Sequence, residues 1–572
     1  MSTAEPTRRY GFFLHTFISA WFTDSLPEYS HTSKNVESIC PPELLCLVLQ
    51  FAVGRDGVRA LLPFTQINSR WRHTALGDPS LWTIIRLEQM TPRLLDMTLA
   101  HAGNQLFEVY VDQYYRLDRF AGLWKLVDRI EALYFIIGFG FLHDFLSSLG
   151  PAPNLKVLCL RPMMYMIWER TPVVDLPAEM FPGCFPSLRN LSLPNADTWP
   201  IGLFKRLTSF ECGDLGYRPI PPVRVLDILR ESPSIEFIRL VGSCTIPSGF
   251  EPPAIPLPLL KECALNGPGT TTLIRFMTIP ATAHVSLTKL YTDDETEFPR
   301  FEDFSAAPGL HVLDEVSTVS VYADNYKIRF RAENTNGGVL EAMVDELGVL
   351  WGELTVFIIL LKDALLCTRT RPDFKTTKVL KLDLWRGRSR EEEEAGHFKL
   401  EIMHCIQCVP EVEEIYLLDL PWPELSFVLL FLGHDPNTQD SPPNVKRLHI
   451  VSHPIPSPRR LLLRLDELLT KRERRGTPFH SITVEVKCAM LIPAADHCAF
   501  LASWERLVEG DVMLKYRKWP CRSRRKTGDK GEDKGESDEK DRNDEDDEDG
   551  CCVGWDGWPE EWPETVEEMR KR

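Results

Sequence analysis

The residues best suited to metal chemistry are Cys405 and Cys408, which form a Cys-x-x-Cys pair directly after His404. Thiolates at this spacing supply half of a typical structural zinc site, which requires four ligands. The cysteines that could complete it, Cys488 and Cys498, lie far along the chain and ten residues apart. The sequence therefore predicts no metal site and favours cysteines that are simply buried in a core.

The motifs of common catalytic chemistry are missing from the sequence. There is no Walker-type phosphate loop, no Gly-x-Ser-x-Gly nucleophile turn and no His-Glu-x-x-His zinc helix. Gly138-Phe139-Gly140 lacks the third glycine of a dinucleotide-binding loop. We therefore expect a protein that is not an enzyme and uses no cofactor. A hydrolase whose serine or cysteine, histidine and acid meet only in the folded chain is kept as a third hypothesis.

Composition restricts the class of partner. With 44% hydrophobic residues, the 572-residue chain can bury a large core. Its net charge of −17 argues against nucleic acid as the main partner, because binding to phosphate backbones needs a cationic surface. No apolar run reaches the roughly 18–20 residues of a membrane-spanning helix. The fifteen cysteines form no regular framework, which favours a reducing compartment. The expected location is the cytoplasm, the nucleus or both.

A compact helical segment occupies residues 40–85. Pro41 and Pro42 open a helix at positions that need no N–H donor, and the helix is expected to end at Gly54. This helix is apolar nearly all round, so both of its faces must be covered and a partner surface is implied. Two further motifs follow in order, Arg70-Trp71-Arg72 and Asp78-Pro79-Ser80-Leu81-Trp82.

In these three motifs the segment resembles the F-box family, although Cys40 stands where the family usually has leucine. The resemblance implies a trihelical module, here residues 39–88 after a weakly ordered lead-in at 1–38. It also implies docking on the Skp-family adaptor of cullin–RING ubiquitin ligases. The contact positions carried over are Pro41, Pro42, Leu44, Leu45, Val48, Ile67 and Trp71. The alternative is that these side chains only build a small helical core. Replacing Cys40 by leucine should tighten docking if the module binds the adaptor.

A recurring pattern dominates the rest of the chain: three apolar anchors at i, i+3 and i+5, often after a proline turn. The anchor sets are Leu155-Leu158-Leu160, Leu188-Leu191-Leu193, Leu207-Phe210-Cys212, Ile235-Ile238-Leu240, Leu260-Cys263-Leu265, Val379-Leu382-Leu384, Val412-Ile415-Leu417, Val445-Leu448-Ile450 and Phe479-Ile482-Val484. Such units suit an irregular leucine-rich-repeat-like solenoid over residues 89–515, each laying down one short strand. Residues 266–378 give weaker candidates such as Val316-Val319-Val321. The expected fold class is α/β. The interpretation that competes with the solenoid is an ordinary α/β fold whose strands happen to be preceded by turns.

The C-terminal region changes character. Residues 516–550 form a basic and then acidic tract that is too polar to fold, and residues 551–572 follow with Trp555, Trp558 and Trp562. Within the tract, Arg522, Arg524, Arg525 and Lys526 resemble a nuclear-import cluster, or they neutralise the acids beside them.

Taken with the F-box resemblance, the sequence predicts a non-catalytic substrate receptor of a Skp–cullin–F-box ubiquitin ligase. The array would hold an unidentified protein target, with no nucleic acid or membrane as partner. The alternative is an interaction scaffold or sensor whose F-box-like module is vestigial.

Overall fold

The computed structural model divides the chain into two compact units, one ending at Val109 and one beginning at Tyr110. The described residues are 41–112, 117–137, 142–162, 186–193, 204–213, 220–242, 244–247, 249–267, 270–288, 309–323, 327–345, 376–384, 402–403, 406–407, 409–420, 422–434, 444–452, 458–488 and 494–518. They form a mixed α/β structure with a large, mostly parallel sheet, which confirms the predicted α/β class.

Helices occur in both units, and short 3₁₀ turns separate some of them. The described α-helices are α1 Pro42–Asp56, α2 Leu61–Ile67, α3 Ser69–Gly77, α4 Pro92–Ala102, α5 Ala121–Trp124, α6 Leu142–Ser148, α7 Pro222–Glu231, α8 Trp422–Leu432, α9 Pro458–Arg474 and α10 Ala494–Leu507. The 3₁₀ turns are Val58–Ala60, Pro79–Trp82, Leu87–Gln89, Leu117–Phe120, Val127–Arg129, Thr270–Phe276 and His311–Leu313.

Strands are short, and most of them follow a turn. The described strands are β1 Ile84–Arg86, β2 Phe107–Asp112, β3 Ile130–Ile137, β4 Val157–Pro162, β5 Asn190–Leu193, β6 Ser209–Gly213, β7 Phe237–Val241, β8 Ile255–Pro256, β9 Glu262–Asn266, β10 Met277–Thr278, β11 His284–Thr288, β12 Val316–Ala323, β13 Lys327–Asn334, β14 Val339–Asp345, β15 Val379–Leu384, β16 Glu414–Leu418, β17 Arg447–Ser452, β18 Ser481–Cys488 and β19 Val512–Lys518.

A buried tryptophan connects two helices of the first unit. Trp82 is fully buried, and its indole Nε1 donates a 2.7 Å hydrogen bond to the Ala75 carbonyl at the end of α3. One ring face of Trp82 stacks on His101 of α4, with 4.7 Å between ring centroids. A buried indole whose N–H has a partner contributes apolar area without an unsatisfied donor. Trp82 therefore ties α3 to α4.

The expected end of α1 at Gly54 is wrong. The helix continues through Gly54 to Asp56 and ends at Gly57, whose N–H donates to the Val53 carbonyl over 2.7 Å. Gly57 has φ +72° and ψ −173°, a combination that essentially only glycine adopts. Two glycines three residues apart are both plausible stop signals, and the backbone conformation needed at the turn decides between them.

In the second unit, neighbouring strands of the sheet follow one another along the chain and pair in parallel from β3 to β7, then through β9 to β11, and from β15 to β19. The order changes only in the middle of this series. There, β11 pairs in parallel with β14, β13 lies antiparallel between β14 and β12, and β12 pairs in parallel with β15. An antiparallel meander therefore stands within residues 266–378, where the sequence offered only weaker repeats. β8 and β10 form a separate two-stranded sheet.

The strand register aligns the apolar anchors into continuous buried rows. One row consists of Leu133, Leu158, Leu191, Phe210, Ile238, Cys263, Val285, Leu340, Ala332, Val319, Leu380, Ile415, Leu448 and Ile482. Side chains alternate between the two faces of a strand, so the intervening residues form an outward face. The core of this unit lies on the anchor side of the sheet.

One predicted anchor set, Val379-Leu382-Leu384, is out of register by two residues. Leu380 and Leu382 are the buried side chains of β15, whereas Val379 is half-buried. The preceding anchor position is taken by Thr377, which is fully buried and donates its hydroxyl to the Val316 carbonyl at 3.2 Å. A search for apolar residues misses this position because threonine is polar. Threonine can be buried here because its hydroxyl has a hydrogen-bond partner.

Candidate protein-interaction surface

Helix α1 has two different apolar sides. Leu45, Leu49 and Val53 point into the first unit, and Leu45 is only 3% exposed. On the other side, Leu44 is 50% and Leu47 is 58% exposed. Four positions, i, i+3, i+4 and i+7, form a stripe along one helix face. In α1 this stripe consists of Leu44, Leu47, Val48 and Phe51, of which the last two are half-buried.

The residues predicted to bind an adaptor do not all lie at the surface. Pro41 and Pro42 are exposed at the start of α1, and Ile67 is 43% exposed at the end of α2. Leu45 instead belongs to the interior of the unit. Leu45 is one of the predicted adaptor contacts, but in the structure its side chain lies in the core of the unit.

Sequence reasoning left Leu47 and Phe51 out of the list of contact positions. Both are apolar, and they follow Leu44 by three and seven residues, which is the spacing of one helix face. That spacing could have identified Leu47 and Phe51 as members of one helix face. It did not show which face is exposed, because Leu45 and Leu49 have a helical spacing on the opposite side of α1.

Trp71 is held at the junction of α2 and α3. Its backbone N–H donates to Oδ1 of Asn68, the N-cap residue of α3, at 3.0 Å. Its ring stacks on Phe64 of α2, with centroids 5.4 Å apart. Arg72 adds a second tie, because its Nε donates to the Thr65 carbonyl at 2.8 Å. Trp71 is half-buried, so part of the indole is left for a partner.

The outward face of the sheet carries a compact charged network on β16 and β17. Glu414 Oε1 accepts a 2.7 Å hydrogen bond from the Tyr416 hydroxyl and lies 2.9 Å from His449 Nε2. Arg447 donates twice to Glu414 Oε2, through Nε at 3.0 Å and Nη2 at 2.8 Å. The rings of Tyr416 and His449 stack 4.2 Å apart, and Lys381 Nζ lies 5.4 Å from the Tyr416 centroid.

This environment perturbs three ionisable groups. Burial, aided by the hydrogen bond to Glu414, raises the pKa of Tyr416 to about 12. Burial also lowers the pKa of His449, although the Glu414 carboxylate opposes that effect. Burial alone would raise the pKa of Glu414, but hydrogen bonds from Tyr416 and Arg447 outweigh it and lower that pKa. Glu414 is thus an ionised acceptor with most of its capacity used, which suits a rigid recognition surface better than proton transfer.

A second outward-facing carboxylate with arginine partners occurs earlier in the sheet. Glu211 accepts from Arg161 at 2.9 Å and Ser192 at 3.1 Å, with Arg239 3.6 Å away. Exposed ion pairs of this kind add little stability, so their main effect is to fix the charge pattern of the face. This pattern can discriminate between protein partners through charge complementarity.

The meander carries a third network of this kind. Arg329 Nε lies 2.6 Å from Glu341 Oε1, and Arg329 Nη2 donates to Glu341 Oε2 at 2.8 Å. Arg331 Nη1 lies 3.7 Å from the same Oε2.

Among the residues that the structure describes, no group of three or more histidine, cysteine or acidic side chains is arranged to hold a metal ion. His404, Cys405 and Cys408 lie outside the described residues. None of the helices described is both long and apolar enough to cross a membrane.

Several predicted features also lie outside the described residues. They are the lead-in at 1–38, Cys40, the basic cluster Arg522, Arg524, Arg525 and Lys526, the acidic tract to residue 550, and Trp555, Trp558 and Trp562. Of the tract predicted at 516–550, residues 516–518 belong instead to strand β19.

Comparisons with known proteins name no relative. No model of a protein family matches the sequence, and no curated protein matches it.

Proposed function

We propose that the chain is a non-catalytic substrate receptor of a Skp–cullin–F-box ubiquitin ligase. The observation that carries the proposal is the exposed apolar stripe of α1, which begins within the Pro-Pro-Glu-Leu-Leu motif that resembles the F-box family. Large apolar side chains grouped on a small unit are typical of an interface, since burying them against a partner removes them from water. Leu44 and Leu47 are the central contacts, with Val48 and Phe51 beside them.

The second unit would supply target binding. We infer that it is an irregular leucine-rich-repeat-like array, supported by parallel strands in chain order and by anchors that align in buried rows. The meander of β12, β13 and β14 departs from a regular solenoid, in which each strand would pair in parallel with the next one along the chain. The outward face, with its arginine–glutamate networks, would hold a protein target.

The receptor would act by proximity. Holding a target near the ligase raises the effective concentration of the target's lysines at the reactive thioester, so the receptor itself needs no catalytic side chain. The alternative is a scaffold or sensor in which the α1 stripe serves another contact. The two functions differ in one measurable property, which is affinity for a Skp-family adaptor.

The test measures binding of the full chain to purified Skp-family adaptor by calorimetry. Leu44→Asp and Leu47→Asp place a charge on the exposed stripe and should each weaken binding at least tenfold, about 1.4 kcal/mol. Gln50→Asp is the matched control, because it adds the same charge to an exposed position of α1 outside the stripe. Leu45→Asp is unsuitable, since a buried charge there would unfold the unit.

Micromolar or tighter binding that is lost in both stripe variants and retained in Gln50→Asp would support the receptor. No binding by the unaltered full chain would contradict it, and the scaffold function would then lead.

A further inference from the structure

Helix α9 presents a basic face to solvent. Its opposite side is buried through Leu461, Leu465, Leu468 and Leu469. One row of solvent-facing positions recurs at helical spacing, and it consists of Arg460, Leu463, Arg464, Glu467, Lys471 and Arg474. We call these six residues the α9 stripe. It holds four cations and one carboxylate, although the whole chain carries a net charge of −17.

The charges of the α9 stripe are only partly balanced within the helix. Arg464 donates to Glu467 at 2.8 Å, and Lys471 donates to the same carboxylate at 2.7 Å, which lowers the pKa of Glu467. Neither Arg460 nor Arg474 has an ion-pair partner among the described residues. Leu463, 54% exposed, lies between the cations. The stripe therefore combines uncompensated positive charge with one exposed apolar side chain, and its best partner is acidic with an apolar anchor.

The chain itself contains a segment of this chemistry. Residues 555–568 hold three tryptophans and six carboxylates, and no basic residue. Exposed tryptophan is costly in water, and Trp is enriched where protein surfaces dock. The acidic tract at 528–549 has the charge but no aromatic residue, so it would leave Leu463 uncovered. Of these two acidic segments, the tryptophan-containing one meets both requirements of the α9 stripe.

Chain connectivity allows this contact. Parallel strands end at the same edge of a sheet, so Ser452 at the end of β17 and Lys518 at the end of β19 lie at one edge. Helix α9 begins six residues after Ser452, near that edge. Residues 519–554 connect Lys518 to Trp555, and these 36 residues can span at most about 130 Å. Only a small fraction of that length is needed to reach α9.

We propose that residues 555–568 dock in cis on the α9 stripe, with their tryptophans against Leu463 and their carboxylates against Arg460 and Arg474. This intramolecular contact is independent of adaptor binding by α1. It would cover the helix between β17 and β18 and compete with any acidic partner for the same surface.

The experiment uses the full chain labelled with 5-fluorotryptophan and observed by ¹⁹F NMR. Single Trp→Phe variants assign the signals of Trp555, Trp558 and Trp562. A docked residue tumbles with the 65.5 kDa protein and gives a broad line, whereas a residue in a freely moving segment gives a narrow one. The test variants are Arg460→Glu/Arg474→Glu and Leu463→Asp. Arg506→Glu is the matched control, because it reverses an exposed arginine on the neighbouring helix α10.

The expected result is three broad tail signals in the unaltered chain that narrow severalfold in both test variants and stay broad in Arg506→Glu. Combining Arg460→Glu/Arg474→Glu with Glu560→Arg/Glu561→Arg should broaden them again. Circular dichroism checks that each variant is folded. Narrow signals in the unaltered chain would overturn the proposal, as would broad signals that the α9 variants leave unchanged. Signals that narrow on dilution would also overturn it, because they would indicate docking on a second copy.

Discussion

The guanidinium of Arg472 donates through Nη2 to the backbone carbonyl of Val445 at 2.8 Å, joining the end of α9 to the turn before β17. Its Nε donates to the Thr477 carbonyl at 2.8 Å, and the group lies 4.1 Å from the centroid of the Phe479 ring. Arg472 is only 4% exposed, and burial lowers its pKa to about 10. A buried cation is therefore held by carbonyl dipoles and an aromatic face, and it connects the turn after α9 to the turn before β17.

Replacing Arg472 by methionine should destabilise the second unit by about 2–3 kcal/mol, because the buried Val445 carbonyl and the half-buried Thr477 carbonyl lose a charged donor. Methionine keeps much of the side-chain volume, so the loss reports hydrogen bonding more than a cavity. The measurement is the free energy of unfolding from urea titration. Glu473→Met, at an exposed position of α9 outside the α9 stripe, is the control and should change it by less than about 0.5 kcal/mol. Equal effects of the two substitutions would contradict the assigned role.

His497 on α10 should make the protein sensitive to acid. It is 1% exposed, and burial lowers its pKa to about 4. The unfolded chain, in which histidine titrates near 6.5, binds the proton more readily than the folded chain. The contribution of neutral His497 to the free energy of unfolding is therefore complete above about pH 6.5. It falls as the pH drops towards 4, at up to about 1.4 kcal/mol per pH unit.

The check on His497 is urea unfolding at several pH values for the parent and for His497→Phe. The variant should lose this part of the pH dependence, even if its stability at neutral pH differs. His480→Gln, at an exposed histidine, should retain the slope of the parent. A slope that persists unchanged in His497→Phe would assign the acid sensitivity to other groups.

The sheet core was accessible from sequence because its signal is local. Anchors such as Leu158 and Leu160 are two apolar residues on one face of a strand, and their spacing alone places them inside. The apolar spacing did not identify the correct register of β15, because Thr377, a polar residue, occupies a buried anchor position there. Its hydroxyl is satisfied only through a carbonyl 61 residues away, which no local pattern contains.

The candidate site was predictable as a segment but not as a surface. Helix α1 is apolar nearly all round, so the sequence could not tell that Leu45 faces inward and Leu47 outward. That distinction depends on where α2 and α3 pack. The place of the meander in the sheet is a similar case, since β11 pairs with β14 and β12 pairs with β15 across long stretches of chain. Long-range packing decided both features.

Asn334 should be the residue on which the meander most depends. Its amide nitrogen donates to the carbonyls of Ala281 at 2.7 Å and Val312 at 3.1 Å. Its Oδ1 accepts from the backbone N–H groups of Asn336 at 3.0 Å and Gly338 at 2.8 Å. Asn334→Ala would remove this partner from all four groups, of which the Val312 carbonyl and the Gly338 N–H are buried, and should cost about 3 kcal/mol of unfolding free energy.

Two other substitutions at this hairpin check the role of Asn334. Asn336→Ala is the matched control, since this exposed asparagine contributes its backbone N–H to the contact, and it should be nearly neutral. Gly338→Ala should be as damaging as Asn334→Ala, because an added Cβ would lie 1.8 Å from the Ala281 carbonyl oxygen. Denaturant unfolding measures all three. A neutral Asn334→Ala would show that the hairpin does not rely on this side chain.

The two glycines near the end of α1 should respond to alanine in opposite directions. Gly54 lies inside the helix with no atom within 4 Å of an added Cβ, so Gly54→Ala should stabilise the first unit by about 0.5–1 kcal/mol. Gly57 ends the helix at φ +72°, and an added Cβ would lie 3.1 Å from Cγ of Arg86. Gly57→Ala should therefore cost about 2 kcal/mol. Thermal unfolding of the two variants compares them directly, and a destabilising Gly54→Ala would mean that α1 ends where the sequence pattern placed its C-terminus.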